Sequence, residues 1–382
     1  MIESQNVTES DHAGQGILLT GATGFIGAHL LRRLLESTTT RIHCLARGAT
    51  AAAVAGRLQT TQSRYRLGLL DPGRIVAVPG DLAMPALGLT TDRFGELARQ
   101  VSTVVHAGAQ VNLLQPSRML EAANVVGTRE ILRLAEAGGA TVAYLSTSEV
   151  FGPADGAVDE DTVPVGPLQP VSGYGQTKRA GELLALRARD DGRPVRVLRL
   201  DRVAGDSRTG ACQPDGDDFW LLVRSALTTG VLPDTTVNLT PVDFAAEAVL
   251  ALATATGGPG PVAHICHPRP IRMGDVAAAL GGTGRPVRVT SVDEWAATLR
   301  QLGERPYCDP LVRLLPLIAE RVLGGRPRFQ APRTTTALDR LGLRYPPVDG
   351  PLLALYVRHL RSTGFLPASD PDDQTMSIDL RG

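Results

Sequence analysis

Of the 39 Lys plus Arg residues, 38 are arginine, and the single lysine, Lys178, stands in Ser172-Gly173-Tyr174-Gly175-Gln176-Thr177-Lys178. Arginine replaces lysine on a solvated surface but not where a compact ammonium with three rotatable donors is needed, so chemistry is expected at position 178. Residues four apart on a helix share a face, which puts the Tyr174 hydroxyl and the Lys178 ammonium in one expected site. A free tyrosine ionises near ~10 and a neighbouring cation favours the phenolate, so Tyr174 is expected to be drawn toward working pH as a proton donor or acceptor. An ordinary amphipathic helix also yields this spacing. The second signal is Leu145-Ser146-Thr147-Ser148-Glu149-Val150-Phe151-Gly152, which ends an apolar run and places Thr147 27 residues before Tyr174. Hydroxyls at the C-terminal edge of a parallel sheet face the ligand crevice. Thr147 is therefore the expected partner of Tyr174 on a substrate oxygen, with Ser146 and Ser148 read as local hydrogen-bonding residues.

Another stretch, Thr20-Gly21-Ala22-Thr23-Gly24-Phe25-Ile26-Gly27, follows an apolar run and opens a helical pattern. Glycines at such a turn let the backbone approach a pyrophosphate at a helix N-terminus. Gly21, Thr23, Gly24, Phe25, Ile26 and Gly27 are thus expected to hold a dinucleotide, on GxxGxxG rather than GxGxxG spacing. Twenty residues beyond Gly27, where an acid would hold the ribose of NAD, stands Arg47. It suits a 2′-phosphate, with Arg57 as a second contact, and makes NADPH the expected cofactor. Both also fit the bland description of solvated arginines, since arginine is this chain's default basic residue. Asp81 and Leu82 close the third apolar run and are placed against the adenine. His264, Cys266 and His267 offer metal-ligating atoms, yet strand alternation separates neighbours and no fourth ligand is evident, so packing is expected and no metal. His106 is read as structural support near the cofactor.

These groups must be carried by elements, and the apolar runs Ile17–Thr20, Arg41–Ala46, Arg74–Pro79, Thr103–Ala107, Thr141–Ser146 and Val195–Leu200 predict strands. Ile26, Leu30, Leu31, Leu34 and Leu35, and then Met119–Ala135, recur at helical spacing between them. Strand and helix in this rhythm predict an α/β fold, a doubly wound parallel sheet of Rossmann type. Beyond about residue 205 the alternation breaks into helical segments (Phe219–Leu227, Val292–Leu302, Leu311–Leu323, Leu352–Ser362), predicting a smaller, mainly helical substrate domain. Val237–Phe244 and Pro261–Cys266 are expected to return to the main sheet. The resulting division is a polar tail over 1–15, a dinucleotide-binding domain over 16–204 with 237–267 returning to it, a cap over 205–236 and 268–366, and a second tail over 367–382.

The length of 382 residues allows one large domain or two packed ones. Basic and acidic residues balance at 39 each and 43% of residues are hydrophobic, which excludes a disordered chain and argues against a dedicated nucleic-acid binder. Four cysteines without a CxxC pair, a polar N-terminus and no long uncharged apolar stretch predict a cytoplasmic protein with free thiols and no membrane span. Between Leu299 and Arg344 nine arginines face four acids. That excess reads as a docking face for an acidic partner or as an ordinary solvated face.

Taken together, the segments TGATGFIG, CLARG, VVHAGAQVN, ANVVGT, YLSTSEVFG, GYGQTK, GDSRTG, TPVDFAAEAVLALA and GFLP, from Ile17 to Pro367, resemble the extended short-chain dehydrogenase/reductases. Within them, VNLLQPSRMLEAANVVGT and GDSRTGACQPDGDDF are similar to the thioester reductase domains of nonribosomal peptide synthetases and carboxylic acid reductases. The resemblance implies Thr147, Tyr174 and Lys178 as catalytic residues, with Asn124 counted beside them. It also implies cofactor contacts at Ala107, Gly108, Ala109, Leu200 and Val203 in addition to Tyr174 and Lys178. The implied reaction is NADPH-dependent reductive release of an acyl, aminoacyl or peptidyl thioester from a phosphopantetheinyl carrier protein, giving either an aldehyde or, with a second hydride, an alcohol. A monomer that binds neither nucleic acid nor membrane is expected. The chain departs from the family pattern with Arg179 in place of an aromatic, Leu200-Asp201 in place of Pro-Gly, and Gly108 in place of an alanine, the last expected to be harmless. Three alternatives stand beside this reading. A sugar-nucleotide epimerase or dehydratase would retain NAD, against which Arg47 speaks. A non-catalytic NADP-binding sensor or scaffold is disfavoured by Thr147, Tyr174 and Lys178 together, and a condensing release domain without reduction by the same residues.

Overall fold

Gly16–Thr20 is buried at every residue, as a strand covered on both faces requires. The computed structural model describes residues 16–152, 156–165, 172–255, 260–281, 286–301 and 327–367. Seven strands, β1 (Gly16–Thr20), β2 (Ile42–Ala46), β3 (Ile75–Pro79), β4 (Val101–His106), β5 (Thr141–Thr147), β6 (Val195–Leu200) and β7 (Val262–Ile265), form one parallel sheet in the order β7-β6-β5-β4-β1-β2-β3. The chain reverses direction across the sheet between β1 and β4, and the ligand crevice of such sheets opens at the strand C-termini there.

Among the described residues there are twelve α-helices: α1 (Phe25–Ser37), α2 (Ala51–Arg64), α3 (Thr91–Gln100), α4 (Ser117–Glu121), α5 (Gly127–Gly138), α6 (Gly173–Asp190), α7 (Asp218–Thr229), α8 (Val242–Thr254), α9 (Met273–Leu280), α10 (Val292–Gln301), α11 (Pro332–Arg340) and α12 (Gly350–Ser362). Alternate strand residues feed two cores. Leu19 and Leu198 meet α1, α2, α8 and α11 through Leu30, Leu58, Val249 and Leu338. Leu18 and Val197 meet α3, α5 and α6 through Leu97, Ile131 and Leu186. The period-two switch of faces along each strand produces this three-layer sandwich.

Pro261–Cys266 does return, as β7, but 237–244 does not join the main sheet. Thr240–Pro241 pairs with Val203–Ala204 in a separate short ladder, Thr236–Val237 pairs with Ile271–Arg272, and Val242 already begins α8. Pro241 has no N–H to offer a central strand and takes the N-cap position of α8.

The chain divides into two compact units. The first contains residues up to Ala204, Leu239–Pro268 and Gly325–Pro346; the second contains Gly205–Asn238, Arg269–Gly324 and onward from Pro347. Residues 327–346 therefore leave the cap in which the sequence placed them. Arg328–Phe329 pairs with Ala157–Val158, and Thr334 donates to the Glu160 carboxylate through its N–H (2.9 Å) and its hydroxyl (3.1 Å). The second unit is built from α7, α9, α10 and α12 with short ladders. Asp217 caps α7 by accepting from the Phe219 and Trp220 amides, and Tyr356 of α12 packs edge-on to Trp220 and donates to the Gly205 carbonyl at 2.9 Å.

Among the described residues no helix is long and apolar enough to cross a membrane, and Cys44, Cys212 and Cys266 are buried free thiols. The expected helix Leu311–Leu323, Cys308 and both polar tails, save Pro367, lie outside the described residues.

Candidate active site

The glycine turn after β1 is shaped by close approach. Gly21 has φ +77°, and a Cβ there would fall 2.7 Å from the Ala107 carbonyl oxygen and the Gly108 nitrogen; one on Gly27 would fall 2.0 Å from the Gly21 oxygen. Gly24 is exposed and takes the N-cap position of α1 with no side chain bonded across it, and α1 has no acid in its first turn. The positive end of the helix is thus available to an anion, beside half-buried Thr23, Phe25 and Ile26. Phe25 is fixed against His29 and Tyr65, with ring centroids at 5.1 and 4.9 Å.

Position 108 is tighter than expected. A Cβ there would sit 2.6 Å from Leu82 Cδ1 and 2.9 Å from Thr20 Oγ1, so alanine is not a neutral exchange for glycine in this chain. Leu82 lies against the β4 loop and so beside the turn, while Asp81 accepts from the Ala83 amide at 2.9 Å within its own turn. Ala107 and Ala109 flank Gly108 half-buried. Arg47 and Arg57 are both exposed where β2 ends, and the Arg57 guanidinium donates to the Arg47 carbonyl. A backbone cradle and an open helix N-terminus fit a dinucleotide, and two arginines stand where a ribose-binding acid would.

Tyr174 and Lys178 occupy the first turns of α6, which Ser172 caps by accepting from the Gly175 amide at 3.0 Å. Gly173 lets this helix start against the 115–117 backbone, because a Cβ would lie 2.3 Å from the Gln115 oxygen. The Lys178 ammonium is buried, donates to the Leu145 carbonyl at 2.6 Å and stands 4.2 Å over the Tyr144 ring. Leu145 is two residues before Thr147, so the lysine meets β5 directly below the expected substrate hydroxyl. Tyr144 in turn donates its hydroxyl to the Lys178 carbonyl at 3.3 Å, and Gly181 gives that hydroxyl room.

The expected lowering of the tyrosine is not what the protein does. Burial pushes the Tyr174 hydroxyl up to about 12, with no offset from Lys178. Burial also pulls the Lys178 ammonium down to about 7 against the opposing pull of the Glu182 carboxylate. Desolvation outweighs the Tyr174–Lys178 pairing because the ammonium is directed at β5.

Asn124 sits in a single π-helical turn, Ala122–Val126, that breaks the helix expected over Met119–Ala135. Its Nδ2 donates to Thr177 Oγ1 and to the Gln110 carbonyl, both at 3.0 Å, and its Oδ1 accepts from the Gln110 amide at 2.7 Å. One side chain thereby joins the β4 loop to α6. Such a bulge is often found where a helix must present a side chain out of phase. His106 completes the support. Thr128 donates to the Asn124 carbonyl (2.7 Å) and so accepts from His106 Nε2–H (3.2 Å), leaving Nδ1 to accept from Thr20 at 2.7 Å. Burial first, and then the Lys178 charge, pull this imidazole down to about 3, so it is neutral.

Thr147 is half-buried and its Oγ1 accepts from the Glu149 amide at 3.3 Å. Its neighbours are not local bonders: Ser146 donates to Glu182, and Ser148 to Asp201 at 2.9 Å. Leu200 is buried at the end of β6, Val203 half-buried in its ladder with Thr240–Pro241, and the buried Arg179 donates to the Pro164 carbonyl. His264 lies between Arg199 and the Gln330 carbonyl, and His267 Nε2 meets the Pro346 carbonyl at 3.0 Å. Among the described residues no three His, Cys, Asp or Glu gather for a metal.

Sequence reading passed over Tyr144, Glu182 and Arg199. The signal was present for two of them: an arginine inside the apolar strand Val195–Leu200 needs a buried partner, and Glu182 shares the Lys178 face of α6.

A family model described as Male sterility protein matches residues 19–249. The chain is 38% identical over 387 aligned positions to glycine betaine reductase ATRR of Emericella nidulans, covering 92% of this chain and 29% of that protein. It is 35% identical over 372 aligned positions to isonitrile lipopeptide synthase of Streptomyces coeruleorubidus, covering 92% of this chain and 25% of that one. The chain thus spans less than a third of either relative. The terminal R domain from the myxalamid PKS-NRPS biosynthetic pathway shares its structure with a TM-score of 0.87 at 34% identity, over 94% of this chain and 93% of that one.

Proposed function

We propose, from the premise that the chain belongs to the Male sterility protein family, that it reduces an acyl, aminoacyl or peptidyl thioester on a phosphopantetheinyl carrier protein and releases the aldehyde. The observation that carries this reading is the one lysine of the chain, buried one helical turn from Tyr174 and bonded to the strand that ends in Thr147. The names of the similar proteins, a reductase, a lipopeptide synthase and a terminal R domain, support it.

Gly21, Gly24 and Gly27, the α1 N-terminus and the β4 loop would hold the pyrophosphate, and Arg47 with Arg57 the 2′-phosphate that distinguishes NADPH from NADH. When bound, NADPH supplies a hydride to the thioester carbonyl carbon. Thr147 and Tyr174 are the donors to the oxygen on which charge develops, and preorganised donors of this kind lower barriers by several kcal/mol. Tyr174 is protonated at neutral pH, so it can transfer its proton to that oxygen. Lys178 would hold the cofactor ribose from its place against β5. Asn124 keeps Gln110 and Thr177 in place around it. Collapse of the hemithioacetal, its hydroxyl proton passing to sulfur, yields aldehyde and free thiol.

The test is a phosphopantetheine thioester mixed with the protein and either nicotinamide. NADPH oxidation matched by thiol and aldehyde is the expected result. Thiol release without NADPH oxidation would assign the domain to non-reductive release.

A further inference from the structure

Beneath the catalytic edge lies a row of polar side chains in an otherwise apolar layer. Ser146 of β5 pairs in register with Arg199 of β6, and Arg199 with His264 of β7, so all three point to the face covered by α6. The next pair in register is Thr147 with Leu200, the two residues expected to border substrate and cofactor. Glu182 reaches this row from α6, one helical turn after Lys178 and two after Tyr174.

The contacts converge on one carboxylate. Ser146 donates to Glu182 Oε2, and Arg199 donates to Oε1 from Nε at 3.1 Å and Nη2 at 2.7 Å. The Arg199 guanidinium is spanned on its other side by the Thr162 carbonyl at 2.8 Å and by His264 Nε2 at 2.9 Å, and it faces the Phe151 ring. His264 Nδ1 meets the Gln330 carbonyl at 3.0 Å and therefore carries the proton, leaving Nε2 as the acceptor that Arg199 requires. Glu182 and His264 are fully buried and Arg199 is 1% exposed.

A buried ion pair is weak evidence for stability, since desolvation consumes most of its attraction and apolar replacements of similar volume often fold as well. Its location gives it a different use. We propose that Glu182 is a positioning residue, one that pins α6 to the rows ending in Thr147 and Leu200 and holds a fixed negative charge behind Lys178. This rests on the reductase reading for its effect on turnover, but not for its effect on the lysine. The groups acting on Lys178 are the Tyr144 ring of β5, the buried His106 of β4 and Glu182 of α6, with Arg199 of β6 on the far side of that carboxylate, and of these Glu182 is the one that favours the ammonium.

Because the chain has one lysine, lysine-selective isotope labelling gives a single side-chain signal whose pH titration is read by NMR without any substrate. In the unaltered protein its midpoint is expected near 7. Glu182→Gln should move it at least about one unit toward acid and lower kcat at least about tenfold, with the KM for NADPH within about twofold. The double variant Glu182→Leu with Arg199→Met removes the ion pair altogether, keeps the fold as judged by its melting curve, and should show a lysine shift of the same sign but smaller, because the Arg199 charge leaves with the carboxylate, together with the same loss of kcat. A titration midpoint unchanged in both variants, or wild-type kcat in the folded double variant, would overturn the proposal. A shifted lysine in a protein that never turns over thioester would instead overturn the reductase reading and leave the role of Glu182 standing.

Discussion

Tyr174 keeps its proton to about 12 and Lys178 keeps its own only to about 7, an inversion of the usual pairing in which the cation pulls the phenol down. Burial decides both, and it leaves a tyrosine that donates rather than one already ionised. Tyr174→Phe is accordingly expected to lower kcat by about a hundredfold or more while NADPH binding, read by fluorescence titration, changes little. The lysine has a consequence for stability as well. Its folded pKa lies below the ordinary value of 10.5, so above about pH 7 the unfolded chain holds a proton that the folded chain has released. Stability from this group therefore rises with pH, and the advantage of the wild type over Lys178→Met in chemical denaturation should grow between pH ~7 and ~8.5, the free cysteines being common to both proteins. An advantage that is flat or shrinks over that range would contradict the assignment.

At the scale of elements, the β1–α1 turn separates two roles for glycine. Gly27 is packed on the Gly21 carbonyl, whereas Gly24 is exposed and a Cβ there meets the Gly21 oxygen at only 3.3 Å. Gly27→Ala should cost on the order of 1 to 3 kcal/mol in unfolding free energy, as overpacking does, and Gly24→Ala should melt like the wild type but bind NADPH more weakly. Equal melting points for the two variants would remove that distinction. The turn and the strands around it were legible because local rules agree there: apolar runs, a glycine triplet and a helical period each point to the same βα unit. Val237–Phe244 misled because an apolar run with a proline inside it reads as a strand by hydrophobicity and cannot be a central one by hydrogen bonding. The π turn at Asn124 was not legible, since the helical segment before it, Ser117–Glu121, is too short for a shift of phase to show in the apolar period.

For the molecule as a whole, the sequence disclosed candidate residues by their spacing and missed the contacts around them. Thr147, Tyr174 and Lys178 were visible as a spacing, but the Ser146–Glu182–Arg199 row joins residues 36 and 17 positions apart through sheet register, which no local pattern encodes. The return of residues 327–346 to the first unit depends likewise on a buried carboxylate, Glu160, finding Thr334. A test of cofactor choice belongs to this scale because Arg47 follows β2, Arg57 lies in α2, and the Arg57 guanidinium donates to the Arg47 carbonyl. Reversing both to glutamate should reduce the preference for NADPH over NADH by about tenfold or more, and Arg57→Ala alone by less. A preference unaltered by the double reversal would place the 2′-phosphate elsewhere.

The most direct test follows the hydride itself. With NADPH deuterated at its transferable position and a carrier-bound thioester, mass spectrometry of the released product should show one deuterium on the carbonyl carbon of the aldehyde, and Tyr174→Phe should yield almost none. A released product without deuterium, or full labelling by the Tyr174→Phe variant, would contradict a reduction in which Tyr174 supplies the proton.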